Sequence, residues 1–583
     1  MAAIISEKFR IFNAKQFLES LSEAEKTNMY FFVGRSSKWD VYLEIHGVAG
    51  TFQVGETVTA GGWSATVAAV YANSLLCTTV LPTATTTPAY GTTVTGGTSS
   101  ATATSGTYRY ATEEIPPLPL DNQIEKNAIY DEIIAAKRIN SDAARLCVPR
   151  YNWTPSVNPK FDMYRPNYSP TPGGGGSIGI QTATGQNQLT SAKFYVMNSQ
   201  YEVFKCLYNG QSPANPTGVN VTDEPKSNPT AGQGTFANGV FTEENGNYIW
   251  KHMFTLPTGD VLAFLSTDFM PIAASTDSSR TAVEGLAVDG AVHIAVVSLA
   301  GSGLPASNDY YAKILGDGTG GIVKFSTDGS GTITGASIQA AGNGYTYANV
   351  VLEQGNVYTD AACTTTATVA ASAVGSIEAV ISPEGGHGSN ADVELFAKRV
   401  MTNVRLTYAE GQGDFPVDND FRRIGIIQDP FKWGQVGTVQ DDLTVRGTYA
   451  VKLNNATADY VADEIISQTV TGGTAKGTVV SWDSTNGILK YYQSPDIHCH
   501  SGKVYAFESD AANAVVGATS TASGTVDTAQ TTVLSDITFD ASNGGLAYPE
   551  IEPNSGDIVY IENRRQITRA PDQIEDIKLV IEF

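Results

Sequence analysis

A chain of 583 residues with 42 % hydrophobic and 16 % charged residues is too long for one core and too apolar to be disordered. Its net charge of −23, with no clustered run of Lys and Arg, excludes a duplex-binding surface and reads as a solvated acidic exterior that repels nucleic acid and anionic lipid. The N-terminus MAAIISEKFRIFNAKQ lacks the pattern of a secretory signal, no stretch reaches the roughly 20 apolar residues of a membrane span, and the five scattered cysteines form no disulfide framework, which together predict synthesis and assembly in a cytoplasm.

The abundance of Gly, Thr, Ala, Ser and Asn predicts short strands joined by tight turns. The expected fold class is mainly β with a few helices: an α+β core in several domains, with β-sandwich-like modules and small β inserts. In chain order, Asn13 is placed to cap a helix that carries Phe17, Leu18 and Leu21 on one face. The run from Met29 to Val33, closed by Gly34, predicts a buried strand. A second helix is predicted over Asn122–Ala136, where Ile124, Ala128, Ile129, Ile133 and Ala136 have helical spacing.

Repeats occupy much of the rest. GETVT (55–59) and GTTVT (91–95), 36 residues apart, each lead into an alternating stretch, WSATVAAV and SSATATSG. A related unit returns as QTVTGGTAKGTVVSW (468–482), with a degraded copy at VVGATSTASGTV (515–526). Each predicts two short strands around a Gly-rich turn, since glycine tolerates positive φ. A second repeat family comprises VHIAVVSLAGSG (292–303), ITGASIQAAGNG (333–344) and IEAVISPEGGHG (377–388), with a hairpin candidate at Asp317-Gly318 between the first two. Three copies in so short a span predict a compact sandwich rather than a closed propeller. The expected division is 1–45, 108–286, 391–454 and 531–583 for the core, interrupted by β inserts at 46–107, 287–390 and 455–530.

Residues 149–191 hold six prolines, the run Gly173–Gly176, and Tyr151, Trp153, Phe161, Tyr164 and Tyr168. Two readings stand: an aromatic arm that wraps a neighbouring subunit, or a long loop packed on its own domain.

No catalytic constellation emerges. His498-Cys499-His500 would place two imidazoles on one strand face, but zinc needs four ligands and no second pair lies at finger-like spacing. GDGTGG (316–321) and the glycines at 173–176 are not followed by Lys-Ser/Thr and a helix, so they read as turns rather than phosphate loops. His252 lies in an alternating strand pattern, and Glu113-Glu114 and Glu243-Glu244 read as solvated charges. The expectation is a protein that is not an enzyme, with no cofactor, metal or catalytic residue.

The C-terminal sequence GDIVYIENRRQITRAPDQIEDIKLVIEF (556–583) resembles the ending of the baseplate wedge proteins of T4-like phages, the family of gene product eight. Further segments resemble that family in the same order: SEKFRIFNAKQFLESL (6–21), FFVGRSSKWD (31–40), VPRYNW (148–153), KFYVMNSQYEVFKCLYN (193–209), NGNYIWKHMFTLP (245–257) and FRRIGIIQDPF (421–431). The three repeat-bearing inserts have no counterpart in it. The resemblance implies a virion structural protein of the contractile-tail baseplate, a homodimer that joins other wedge proteins and takes part in the rearrangement that triggers sheath contraction. It implies neither nucleic acid nor membrane insertion. The alternative is a receptor-binding, adhesin-like tail protein whose inserts contact host-surface glycans; a polysaccharide-degrading enzyme would instead need acidic residues converging in a cleft.

Overall fold

The computed structural model describes residues 4–23, 27–35, 41–70, 74–81, 88–109, 116, 118–119, 121–154, 159–166, 182–186, 188–407, 421–494, 498, 503–565 and 574–583. Strand accounts for 43 % and helix for 10 %, so the protein is mainly β, built from several sheets and barrels. Among the described residues no helix is long and apolar enough to cross a membrane. The chain forms two compact units, each assembled from separated stretches: Met1–Glu19, Ala144–Asn403 and Lys578–Phe583 make the first, Ser20–Ala143 and Val404–Ile577 the second.

In the second unit, an antiparallel sheet orders the strands Thr444–Arg446, Ile133–Ile139, Met29–Gly34, Arg423–Gln428 and Asp557–Asn563. Every residue of Met29–Gly34 is buried, as its unbroken apolar run predicts for a central strand. Gly34 is glycine for close approach: a Cβ there would stand 2.8 Å from the Glu132 carbonyl oxygen. The helix predicted over Asn122–Ala136 is shorter, Gln123–Glu132, capped by the Asn122 side chain accepting from the Glu125 N–H. From Ile133 the chain is a strand. Ile133 and Ile134 are β-branched, and the segment is bound to Met29–Gly34, so sheet pairing overrides the helical spacing.

Two barrels belong to this unit. The first closes the strands Val41–Ala49, Ser74–Leu81, Trp63–Val70, Thr57–Ala60, Thr93–Gly96 and Thr102–Arg109 into a ring. Leu43, Val58, Trp63, Val67, Leu75 and Val94 fill it. The second runs Tyr449–Asn454, Ile488–Tyr492, Gly473–Asp483, Ile465–Val470, Val515–Gly517 and Ser523–Val526, and Val526 pairs back to Leu453 to close it. Strand for strand the two rings have one topology. The two-strand-and-turn units expected of GETVT, GTTVT and their later copies are the hairpins of these barrels.

In the first unit, the helix Glu7–Ser20 starts at Ser6, whose hydroxyl accepts from the Phe9 N–H, so Asn13 lies mid-helix rather than at a cap. A mainly buried sheet orders Tyr195–Met197, Glu202–Tyr208, Ile249–Thr255, Val240–Glu243 and Gly234–Ala237. Another orders Phe269–Pro271, Ala144–Pro149, Arg399–Thr407 and Ile574–Glu582, of whose last two strands only residues 399–403 and 578–582 belong to this unit. Residues 292–381 form two further sheets, the pair Val292–Ser302 with Val374–Ile381, and a set built on Ile333–Asn343, Thr319–Thr327, Asp309–Gly316 and Ala348–Val350. Val297, Ala312, Val323, Phe325, Ile333 and Ile377 from both sheets share one core, an arrangement of sandwich type. The repeated Gly-x-Gly turns agree in backbone: φ is positive at Gly301 and Gly303, at Gly342 and Gly344, and at Gly386 and Gly388.

Candidate functional site

The residues singled out for chemistry are mostly tied into the fold. The Ser494 N–H donates to His498 Nδ1 at 2.7 Å, which leaves the ring proton on Nε2 to donate to Thr478 Oγ1 at 2.8 Å. Both nitrogens are therefore committed, while Cys499 and His500 lie outside the described residues. No group of three His, Cys, Asp or Glu placed to hold a metal occurs among the described residues. His252 is buried, its Nε2 3.2 Å from Thr255 Oγ1, and burial lowers its pKa. GDGTGG is a hairpin turn whose Asp317 accepts from the Thr346 and Tyr347 N–H groups and the Thr346 hydroxyl; these bonds bring its pKa down to about 2. Glu243 is not a solvated charge. It is 2 % exposed and receives the Thr222 N–H and hydroxyl and the Asp223 N–H, which clip the 222–223 loop to its strand. Glu244 is exposed, whereas Glu113-Glu114 and Gly173–Gly176 lie outside the described residues. Cys77, Cys147, Cys206 and Cys363 are buried, and burial pushes the Cys147 thiol up to about 12.

The described aromatic residues of the 149–191 segment pack within their own unit. Tyr151 meets Tyr195 at 5.0 Å, Trp153 stacks on Phe161 at 6.2 Å, and Phe161 sets its edge against Trp250 at 5.3 Å. Asp162, fully buried, accepts the Thr184 and Lys193 N–H groups and the Thr184 hydroxyl. For these residues the packed-loop reading holds; Tyr168 lies outside the described residues.

Two buried charge clusters remain. In the second unit Glu132 binds Arg35 through one carboxylate oxygen at 2.8 Å and Arg423 through the other at 2.7 Å. Arg423 also reaches Glu125 at 3.1 Å and Asn563 at 2.9 Å. All five side chains are at most 8 % exposed. They tie a helix to three adjacent strands that come from opposite ends of the sequence. Those strands carry FFVGR, FRRIGIIQ and YIEN.

In the first unit Lys205, on the strand Glu202–Tyr208, pairs with Glu394 at the end of the short helix Ala391–Glu394; both are essentially inaccessible. Lys205 Nζ lies 4.8 Å from the centroid of the Tyr164 ring, and His387 meets the same ring edge-on at 5.0 Å. His293 lies 5.6 Å from His387. Burial pulls Lys205, Lys251, His293 and His387 all below their usual pKa values. Nearby, Asp392 holds Arg280 through both oxygens, at 2.8 and 3.1 Å, and Lys15 at 2.7 Å. None of these long-range pairings had a signal in the sequence, because the partners stand far apart in the chain.

Two carboxylates repeat one geometry in the two barrels. Glu56 accepts from the Thr98 and Ser99 N–H groups, the Ser99 hydroxyl and the Gln53 N–H at 2.7–3.1 Å. Glu464 accepts from the Thr519 and Ser520 N–H groups, the Ser520 hydroxyl and the Val461 N–H at 2.7–2.9 Å. A Cβ on Gly96 or Gly517 would strike the carboxylate and the serine hydroxyl in each, so only glycine lets the loop close over its acid. Burial opposes ionisation of both acids, yet the donated hydrogen bonds hold both below the usual glutamate pKa. The chemistry available in these clusters is the fastening of strands and loops. No family model matches the chain, and no curated protein matches it.

Proposed function

We propose that this chain is a structural subunit of a contractile phage tail, a component of the baseplate wedge that links neighbouring wedge subunits. The observation that carries the reading is where the family-like segments lie. FFVGR, FRRIGIIQ and YIEN form neighbouring strands of one sheet, and KFYVMNSQYEVFKCLYN and NGNYIWKHMFTLP form neighbouring strands of another. The repeats lie in two barrels and a sandwich, each with a hydrophobic core, and the second barrel also shares a small core with neighbouring strands. A set of short resemblances scattered by chance has no reason to converge on shared sheets while sparing the inserts.

On this reading the subunit works through assembly contacts, with a second copy of itself and with other wedge proteins, and it participates in the rearrangement that triggers sheath contraction. Phe9 and Phe12, three apart on Glu7–Ser20 and exposed by 53 and 55 %, and Ile5 just before the helix, exposed by 61 %, supply apolar surface that assembly covers. Immunogold electron microscopy of intact phage, with extended and contracted tails compared, tests the proposal. Label at the tail tip is expected. Label on fibres or capsid overturns the wedge assignment and favours the adhesin alternative.

A further inference from the structure

Lys205 and Glu394 stand out among the ion pairs because both partners are removed from solvent, with side chains 0 % and 1 % exposed. Their surroundings are unusual for a plain salt bridge. The ammonium faces the Tyr164 ring, and Tyr164 in turn packs on Phe194, which meets Phe396. The positive charge of Lys205 helps to lower the pKa of both Lys251 and His387, after burial. In so dry a site two separated charges are costly, and a covalent bond between the two groups removes both.

The two carboxyl oxygens of Glu394 are held differently. Oε1 accepts the Gly388 N–H at 2.8 Å and the Asn390 N–H at 3.1 Å, while Oε2 takes Lys205 Nζ and a longer share of the same Gly388 N–H at 3.1 Å. Two backbone donors on one oxygen polarise the carboxyl carbon and stabilise negative charge that develops there on attack.

From this geometry we infer that Lys205 and Glu394 condense into an intramolecular isopeptide bond. In that step Lys205 Nζ passes one proton to Oε2 and attacks the carboxyl carbon, and the Nζ–Cδ bond forms. The Cδ–Oε2 bond breaks, and Oε2 departs as water with the acid proton and one amine proton; nothing is oxidised or reduced. Oε1 becomes the amide oxygen and keeps its two N–H donors, and two buried charges disappear. The linkage joins the strand Glu202–Tyr208 to the point where the chain returns from the 287–390 sandwich, bridging a covalent loop of large size. Such a staple limits unfolding of that loop by a covalent bond other than a disulfide. The inference is independent of the wedge assignment.

Mass spectrometry of the denatured full-length chain, followed by proteolysis, tests it. The expected result is a mass about 18 Da below that of the sequence, one water per bond formed, with a branched peptide joining the fragments that carry Lys205 and Glu394. Lys205→Arg, which removes the nucleophile and keeps the charge, should restore the mass of its own sequence. Recovery of linear peptides containing Lys205 and Glu394 from the unaltered chain overturns the proposal and leaves a buried ion pair. A loss of water mapped to any other residue overturns it equally, whether or not the variant folds.

Discussion

The two barrels of the second unit share a topology and a buried glutamate, yet they are attached to the rest of the fold in different ways. The ring spanning Val41–Arg109 starts and ends on paired strands, with Tyr42 opposite Arg109, and its core of Leu43, Val58, Trp63 and their neighbours is its own. The ring that begins at Tyr449–Asn454 is not self-contained. Ala450 and Val451 also pair with Ala547 and Leu546 outside the ring, and Ala450 and Ile488 join a second small core with Ile537, Phe539 and Ala547. One design therefore serves as a pendant module in one place and as part of the framework in the other.

Excision is the most severe way to break that comparison. Replacing 41–109 by a short Gly/Ser linker should leave the rest of the chain folded, with its melting temperature changed by less than about 4 °C. Removing 455–530 should instead abolish cooperative folding of the second unit, because Tyr449–Asn454 loses both of its barrel neighbours. Circular dichroism melts of the two deletions decide the matter. Equal tolerance of both would mean that the extra strand and small core contribute little.

The glutamates test what the barrels have in common. Glu56→Ala and Glu464→Ala each strand backbone N–H groups that now meet a charged acceptor, at a cost of about 2–3 kcal/mol. Trp63, 1 % exposed inside the first ring, and Trp482, packed on Tyr460 in the second, supply separate fluorescence reporters. Each substitution should lower the denaturation midpoint seen by its own tryptophan and leave the other in place. A midpoint that moves in only one barrel would show that matching geometry hides unequal energetics.

How much of this was legible in the sequence follows from the same pair. The hairpins were readable because a buried strand face demands alternation and a tight turn demands glycine, as in TVTAGGWSATV and QTVTGGTAKGTVV. Ring closure was not. YAVKLN and ILKYY, which complete the second barrel, carry no copy of the repeat. The glutamates left a faint mark: each follows a residue of positive φ, Gly55 or Asp463, and precedes the strand that opens the repeat. Elsewhere local pattern misled. Helical spacing carried the second helix past Glu132 because it does not register the partner strand Met29–Gly34, and Glu243 looked solvated because its donors at Thr222 and Asp223 come from a folded-back loop. The charge clusters were invisible for the same reason: Glu132 and Arg423, like Lys205 and Glu394, are neighbours only through topology.

Acid offers a milder probe. A carboxyl whose folded pKa is depressed confers stability that is complete above its unfolded value, about 4.5 here, and is lost as pH falls through the lowered folded value. Both barrels should therefore weaken together below that pH, as reported by Trp63 and Trp482. The Ala variants should show a flatter profile, since nothing remains there to protonate. A wild-type profile flat between pH 5 and the acid transition of the Ala variants would mean that these carboxyls do not differ between folded and unfolded chains.

The finest distinction lies in the loops over the acids. Ser100 and Thr521 occupy matching positions with φ of 56° and 57°, a left-handed conformation that costs an L-residue about 1 kcal/mol and a β-branched one more. Ser100→Gly and Thr521→Gly should therefore each stabilise, after the entropy of the more flexible unfolded chain is subtracted, by about 0.5 kcal/mol or less. The gain should be larger for Thr521, whose γ-methyl adds to the crowding. The neighbouring N–H groups of Ser99 and Ser520 already point at the carboxylates, so the turn is held in this shape whichever residue occupies it. Greater stabilisation at Ser100 than at Thr521, read from the tryptophan midpoints, would show that strain in these loops is set by their attachment to the barrel rather than by the side chain at the turn.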